Sequence, residues 1–466
     1  MRAAAAEAIG HELGDEAVHT RESESFDTRP AGLRSVAARC SVLAVVAGLG
    51  ACSVVPSNPF PAAAQPDPGS VSMRQVDGGP DYYERFENSL PTDPGFFPIA
   101  VWSESVVDDT GWPVDKAAGI NTYLEPTADT DLPRIDLHGM HVISSRAAES
   151  DVPEGYFTVD EPDLWAGPGD AEWTGNQPGQ GDICVPADAE CGYSVMEAAV
   201  ASAPPGRLRM TNFGKGLVYW ETNDEAARFL NDYQDVVSAD VYWYTDPNVC
   251  GGNEGGGLLA GGAALDDDTC RLAENYGRTV ERVRSLIEPR GSMPVWNFVE
   301  VGHPFIEEDA PTITVPEIRA AVWHSLIAGA RGIVYFVHNF AGSCQTQHAI
   351  RDCGPELQDG VAAINAQVES LAPVLNAPFV DGLVSSDDAV SLSTKLFDGS
   401  LYVLAGSAVA EPHSSSITVG CDVGTAVVVD EDRTVPIVGG KFVDDFADRN
   451  AVHIYRIDGA GKCLAG

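Results

Sequence analysis

The sequence predicts a (β/α)8 barrel, of the TIM-barrel class, followed by a small C-terminal all-β sandwich. Three observations predict it. Eight short apolar runs recur along the chain, amphipathic helical stretches separate several of them, and the pattern changes to period-two alternation near residue 378.

The predicted strands are FPIAVW (97–102), INTYLE (120–125), MHVISS (140–145), YFTVDE (156–161), LRMTNF (208–213), SADVYWY (238–244), MPVWNFVE (293–300) and GIVYFVHN (332–339). Helices are predicted from YSVMEAAVASA, NDEAARFLNDY, AENYGRTVERVRSLI and VPEIRAAVWHSLIAGA before strands five to eight, and from PELQDGVAAINAQVESLAPVL after the last. Eight strands in this alternation fit a closed barrel, whose active site lies at the C-terminal strand ends. The alternative is an open doubly wound sheet, which needs a glycine-rich turn after strand one; VWSESVVDD has none. Beyond Pro378, AVSLSTKLFDGSLYVLAG alternates about Asp398-Gly399, a hairpin turn signal, and TAVVVDED and NAVHIYRI continue the pattern. The expected domains are an N-terminal extension with signal peptide (1–52), a Pro/Ala/Ser-rich linker (53–80), the barrel (81–376) and the β-sandwich (377–466).

Asp and Glu outnumber Lys and Arg 69 to 28, a formal charge of -41. Such a surface repels nucleic acid and anionic membranes and suits neutral substrates; the plainer reading is solubility. The run CSVLAVVAGLGA (40–51) follows Arg34 and Arg39, precedes Cys52, and is too short to span a bilayer comfortably. Residues 1–33 are acidic where a signal n-region is basic, which points to a start codon assigned too early. Eight further cysteines fall into local couples: Cys184 with Cys191, Cys250 with Cys270, Cys344 with Cys353, and Cys421 with Cys463. Their even number in an exported chain reads as disulfides, although eight cysteines permit 105 connectivities.

Asp160-Glu161-Pro162 ends strand four and Glu300 ends strand seven, positions that face each other across a barrel mouth. Glycosidic hydrolysis needs one carboxyl group kept protonated for the leaving oxygen and a second, ionised, for the developing oxocarbenium ion. Competing structural readings are a helix start, with Asp160 as N-cap, and a solvated loop acid at Glu300. For sugar contacts, Trp102, Tyr242, Trp243, Tyr244 and Trp296 supply flat apolar faces, and Asn212 and Asn339 supply hydrogen bonds. Strand alternation lets only about half of such residues point inward. Asp266, Asp267 and Asp268 read as a solvated acidic turn rather than a calcium site, and no metal or cofactor is expected.

The spacing of these acids resembles clan A of the retaining glycosidases. The resemblance covers roughly residues 95–376, and FVDDFADRNAVHIYRI looks like the last strands of the sandwich that often follows. It implies Glu161 as acid/base, Glu300 as nucleophile, and Tyr242 or Tyr244 as hydrogen-bond donor to the nucleophile. Two departures stand out: Asp160 replaces the Asn before the acid/base, and Phe336-Val337-His338-Asn339 replaces the strand-eight Trp, which makes His338 a candidate substrate contact. An adjacent Asp-Glu pair also resembles the substrate-assisted N-acetylhexosaminidases, where Asp160 would orient the acetamide. A third reading is a non-catalytic carbohydrate-binding lipoprotein, since Leu49-Gly50-Ala51-Cys52 resembles a lipobox with Cys52 as the lipidated residue. The expected partner is an oligo- or polysaccharide, the expected state a monomer, and the expected location extracytoplasmic, lipid-anchored or secreted.

Overall fold

A computed structural model describes residues 71–165, 191–420 and 423–460. Cys52, Cys184, Cys421 and Cys463 lie outside them. The described residues fall within one compact unit. Its first strand, β1 (Ser72–Arg74), lies within the expected linker yet pairs antiparallel with Phe379–Asp381, so ordered chain begins before residue 81.

Eight parallel strands then close a barrel: β2 (Ile99–Trp102), β3 (Thr122–Leu124), β4 (His141–Ile143), β5 (Gly155–Asp160), β6 (Leu208–Phe213), β7 (Val236–Ala239), β8 (Val295–Glu300) and β9 (Ile333–Phe336). Alternate side chains fill the interior. Trp296, Phe298 and Val334 belong to the inner core, whereas Val295, Val299 and Tyr335 pack outward under the helices. The predicted helices form at Gly192–Ser202, Asn223–Asp232, Glu274–Leu286, Val315–Ile327 and Pro355–Ser370. Three begin with capping boxes, Cys191 with Ser194, Thr222 with Glu225 and Thr314 with Glu317, which satisfy the first orphan N–H groups.

The sixth strand is shorter than predicted. Its ladder stops at Ala239, and Asp240 N–H donates to the Phe213 carbonyl at 2.8 Å. The aromatic run 241–244 imitates a strand because a closely packed turn buries the same residue types.

The C-terminal strands are β10 (Phe379–Asp381), β11 (Val390–Phe397), β12 (Ser400–Ser407), β13 (His413–Thr418), β14 (Thr425–Val428), β15 (Arg433–Pro436), β16 (Lys441–Phe446) and β17 (Val452–Ile457). They make a seven-stranded antiparallel sheet, β1-β10-β11-β12-β17-β14-β15, and a β13-β16 ribbon. Asp398 and Gly399 both have positive φ, as the two-residue turn between β11 and β12 requires. Alternation divides the sheet between two cores: Leu404, Val452 and Ile454 join the barrel's outer core, while Val403, Ala405 and Tyr455 pack beneath the ribbon. The helix Val315–Ile327 lies in the barrel's outer core, in contact with β8 and β12, and is buried almost all round.

Cys250–Cys270 and Cys344–Cys353 are bonded, closing loops after β7 and β9. Cys191 is also disulfide-bonded. Within the first loop the glycines form a short helix, Gly255–Ala260, where Gly255 lies against the Trp243 ring too closely for a side chain. Asp266 caps the next turn, accepting from Thr269 N–H at 2.9 Å, and Asp268 pairs with Arg449 at 2.6 Å. Among the described residues no helix is long and apolar enough to cross a membrane.

Candidate active site

The sequence of β5 alone would aim Asp160 at the helices. Phe157 is an inner-core residue paired with Met210, and strict alternation would put residue 160 outward. A bulge intervenes: three steps along β5, from Phe157 to Asp160, match two along β6, from Met210 to Asn212. Asp160 therefore turns inward beside Asn212, and it is exposed to the mouth. The Asn212 amide donates to Asp160 Oδ1 at 2.9 Å, and Ser238 Oγ holds its carbonyl at 2.8 Å.

Glu161 follows with φ of +46°, a left-handed conformation unusual for a side chain of this size. Its N–H donates to the Asn212 carbonyl at 2.9 Å, and a 3-10 turn, Pro162–Trp165, begins directly after it. The helix-start reading of Asp-Glu-Pro thus describes the backbone beyond Glu161 and coexists with the inward placement of Asp160. The Glu161 carboxyl lies over Gly214, where any side chain would overlap it. Asp163 secures that approach, accepting from Gly214 N–H at 3.0 Å and Leu217 N–H at 2.8 Å. Burial, then the charges of Asp240, Asp160 and Asp163, push the Glu161 carboxyl well above the usual range; Lys215 opposes them. Ser103 and Glu125, ending β2 and β3, also have positive φ, so three non-glycine strand ends at this mouth are strained.

Glu300 ends β8 with 0% exposure. Tyr276 Oη donates to its carboxylate, 2.7 Å from both oxygens, and Thr245 Oγ1 donates at 3.0 Å. Burial raises its pKa to about 7, with the Tyr276 hydrogen bond the largest opposing influence. The resemblance assigned that donor to Tyr242 or Tyr244, but Tyr276 and Thr245 fill the place. Tyr276 sits on the helix Glu274–Leu286, and its sequence context reads as an ordinary buried helix face.

The mouth also holds a carboxylate that sequence reasoning missed. Asp240, first residue past β7, accepts weakly from Asn212 at 3.5 Å, and its Oδ1 is buried without a partner. Burial, with the charge of Asp160, raises it to about 7. The aromatic run 241–244 carries the predicted strand past residue 240, which conceals it as a strand end. Tyr242 faces Asp240, Glu300 and Glu161, and its hydroxyl approaches the Asp240 carboxyl without completing a well-formed hydrogen bond.

Of the expected sugar contacts, Trp102, Asn212, Tyr242 and His338 join Asp160 and the two glutamates at this end. Trp102 packs on Phe157 and Phe298, with ring centres 5.1 and 5.8 Å away. Tyr242 packs with Phe305 and Phe336, and Phe336 with His338 and Phe340, forming an aromatic wall. Burial lowers the His338 pKa, and its Nε2 has no partner.

Four residues lie elsewhere. Trp243 is fully buried in the outer core, its indole donating to Thr279. Tyr244 donates to Asn450 of the β-sheet region. Trp296 points inward but lies two inward positions below Glu300, donating to Tyr83. Asn339 accepts from His303 N–H and donates to the Cys344 carbonyl, bracing the loop after β9. In each case alternation or the misplaced strand end decided the outcome.

No protein-family model matches the sequence, and no curated protein does. Among solved structures, the chain is similar to one described as a glycoside hydrolase, at 11% identity and TM-score 0.45, covering 84% of this chain and 97% of that one. It is similar to a glycoside hydrolase of family 5 from Bacteroides vulgatus, at 12% identity and TM-score 0.45, covering 80% and 91%. A family 30 xylanase from Clostridium acetobutylicum matches at 11% identity and TM-score 0.39, covering 78% and 95%.

Proposed function

We propose that the chain is a glycoside hydrolase working outside the cytoplasm, lipid-anchored at Cys52, with Glu161 as acid/base and Glu300 as nucleophile of a double displacement. The observation that carries this reading is the contrast between two carboxyls at one barrel end. Burial, then three neighbouring acids, push the Glu161 carboxyl well above the usual range and favour its protonated form, as an acid requires. Glu300 accepts from two hydroxyls and is the easier of the two to ionise. Asp160 and Asn212 would contact the sugar, and Trp102 and the wall of Tyr242, Phe336 and His338 would stack on it.

A second reading has its own support. Asp160 is exposed and aimed into the mouth, whereas Glu300 has no exposed surface. Both facts suit a substrate-assisted N-acetylhexosaminidase, in which the acetamide attacks and Asp160 orients it.

A panel of chromogenic glycosides, including N-acetylated ones, separates the readings. For double displacement, Glu300→Gln abolishes turnover of every substrate. Glu161→Gln costs about 10²–10⁴-fold on poor leaving groups and spares the first step on activated aryl glycosides. Retention of activity on an acetamido sugar by Glu300→Gln, with its loss in Asp160→Asn, would replace the first reading by the second.

A further inference from the structure

Double displacement uses two carboxyl groups, yet four influence one another at this mouth. Asp240 is the largest charge acting on Glu161, and Asp160 and Glu300 both act on Asp240. The two additional acids are poorly supplied with donors. Asp160 and Asp240 share the one Asn212 amide, at 2.9 and 3.5 Å, and Asp240 Oδ1 has no partner. The Tyr242 hydroxyl, on a side chain only 8% exposed, faces the same cluster and leans toward Asp240 without a well-formed hydrogen bond.

Among the described residues, the basic side chains at this mouth do not offset these acids. Lys215, the cation acting on Glu161, is held by Asp246 and by Glu254 at 2.8 Å. Burial lowers the His338 pKa and so disfavours its charged form. Residues 147–206, which include β5 and its C-terminal end, contain no Lys, Arg or His but twelve Asp or Glu. Nor do the described residues include any group of three ligands able to hold a metal ion.

We propose that the substrate itself supplies the missing cation: the site takes a glycan with free amino groups, a 2-amino-2-deoxyhexose unit whose ammonium is received between Asp160 and Asp240. This names the substrate class of the glycosidase reading and rests on it. An ammonium carries three donors, and three acceptors await it: the free oxygen of Asp160, Asp240 Oδ1 and the Tyr242 oxygen. The exposed Asp160 makes the position reachable from solvent. A neutral hydroxyl would satisfy one lone pair but leave two neighbouring carboxylates repelling each other. Burial, with the Asp160 charge, raises Asp240 to about 7; a cation received beside it would favour its ionised form.

The test uses matched aryl glycosides with a 2-amino, 2-acetamido or 2-hydroxyl group on the full-length protein at neutral pH, with calorimetric binding of the corresponding oligosaccharides. The amino substrate is expected to show kcat/KM at least about tenfold above the hydroxyl substrate, a difference of about 1.4 kcal/mol. Asp240→Asn should raise KM for the amino substrate selectively and so remove the preference, while Asp240→Glu should restore part of it. Turnover of hydroxyl or acetamido glycosides without an amino preference would overturn the proposal and leave the glycosidase reading intact. Calorimetric binding of amino oligosaccharides without any turnover would reject the glycosidase reading while keeping the ligand class. Neither binding nor turnover of the amino compounds would overturn both.

Discussion

The two ends of the barrel are built on opposite terms. At the N-terminal end, Tyr82, Tyr83 and Leu90 plug the interior, and Tyr82 Oη donates to the Asp235 carbonyl at 2.5 Å. Arg284 grips Asp77 through two hydrogen bonds of 2.5 and 2.9 Å, with both side chains almost wholly buried. At the C-terminal end, Ser103, Glu125 and Glu161 hold strained backbone, and Asp240, Tyr242 and His338 carry polar atoms without partners. One end spends its interactions on stability, while the other keeps unused donors, acceptors and proton affinity for a ligand.

Four changes would break or sharpen this contrast. The largest effect is expected from Asp77→Ala, which leaves the buried Arg284 with only the half-exposed Glu281 as carboxylate partner and should cost about 3 kcal/mol of stability. Denaturant unfolding measures it, and the pH–rate profile of the surviving fold should keep its shape. A displaced profile would show that the two ends are coupled.

At the mouth, Gly214→Ala forces the Glu161 carboxyl from its seat. A displacement near 1 Å costs about 10²-fold in turnover, so kcat should collapse while the thermal midpoint barely moves. If both fall together, Gly214 serves the fold more than the site. Tyr276→Phe is milder. It removes the shorter of the hydroxyl contacts that favour ionised Glu300, so the acidic limb of the pH–rate profile should shift upward and kcat fall about tenfold at neutral pH. An unshifted limb would assign that titration to another group.

The smallest effect concerns stability against pH. Asp240 has its folded pKa raised from 3.8 to about 7. Between these values the unfolded chain ionises and the folded one does not, so this group's contribution falls as pH rises through that window and levels off above it. Asp240→Asn should therefore raise the thermal midpoint by a few degrees above pH 7 and leave it nearly unchanged near pH 4. Differential scanning at the two pH values decides the point.

Much of this was legible in the chain. The eight apolar runs located all eight barrel strands, Asp398-Gly399 located its hairpin, and proximity paired Cys250 with Cys270 and Cys344 with Cys353. Glu161 and Glu300 were found as the acids closing strands four and seven. Asp240 and Tyr276 escaped: the first was hidden inside an overlong strand, the second on a helix whose buried tyrosine looks like core.

What the sequence determined by itself was therefore architecture and strand-end chemistry, because hydrophobic periodicity and turn residues act locally and repeat along the chain. What only the tertiary structure decided was aim. The bulge in β5 that turns Asp160 inward, the early end of β7 that exposes Asp240, and the reach of Tyr276 from a neighbouring helix to Glu300 all arise between segments distant in sequence. A side chain's periodicity says which residue types alternate; the register of the neighbouring strand says which way each one faces.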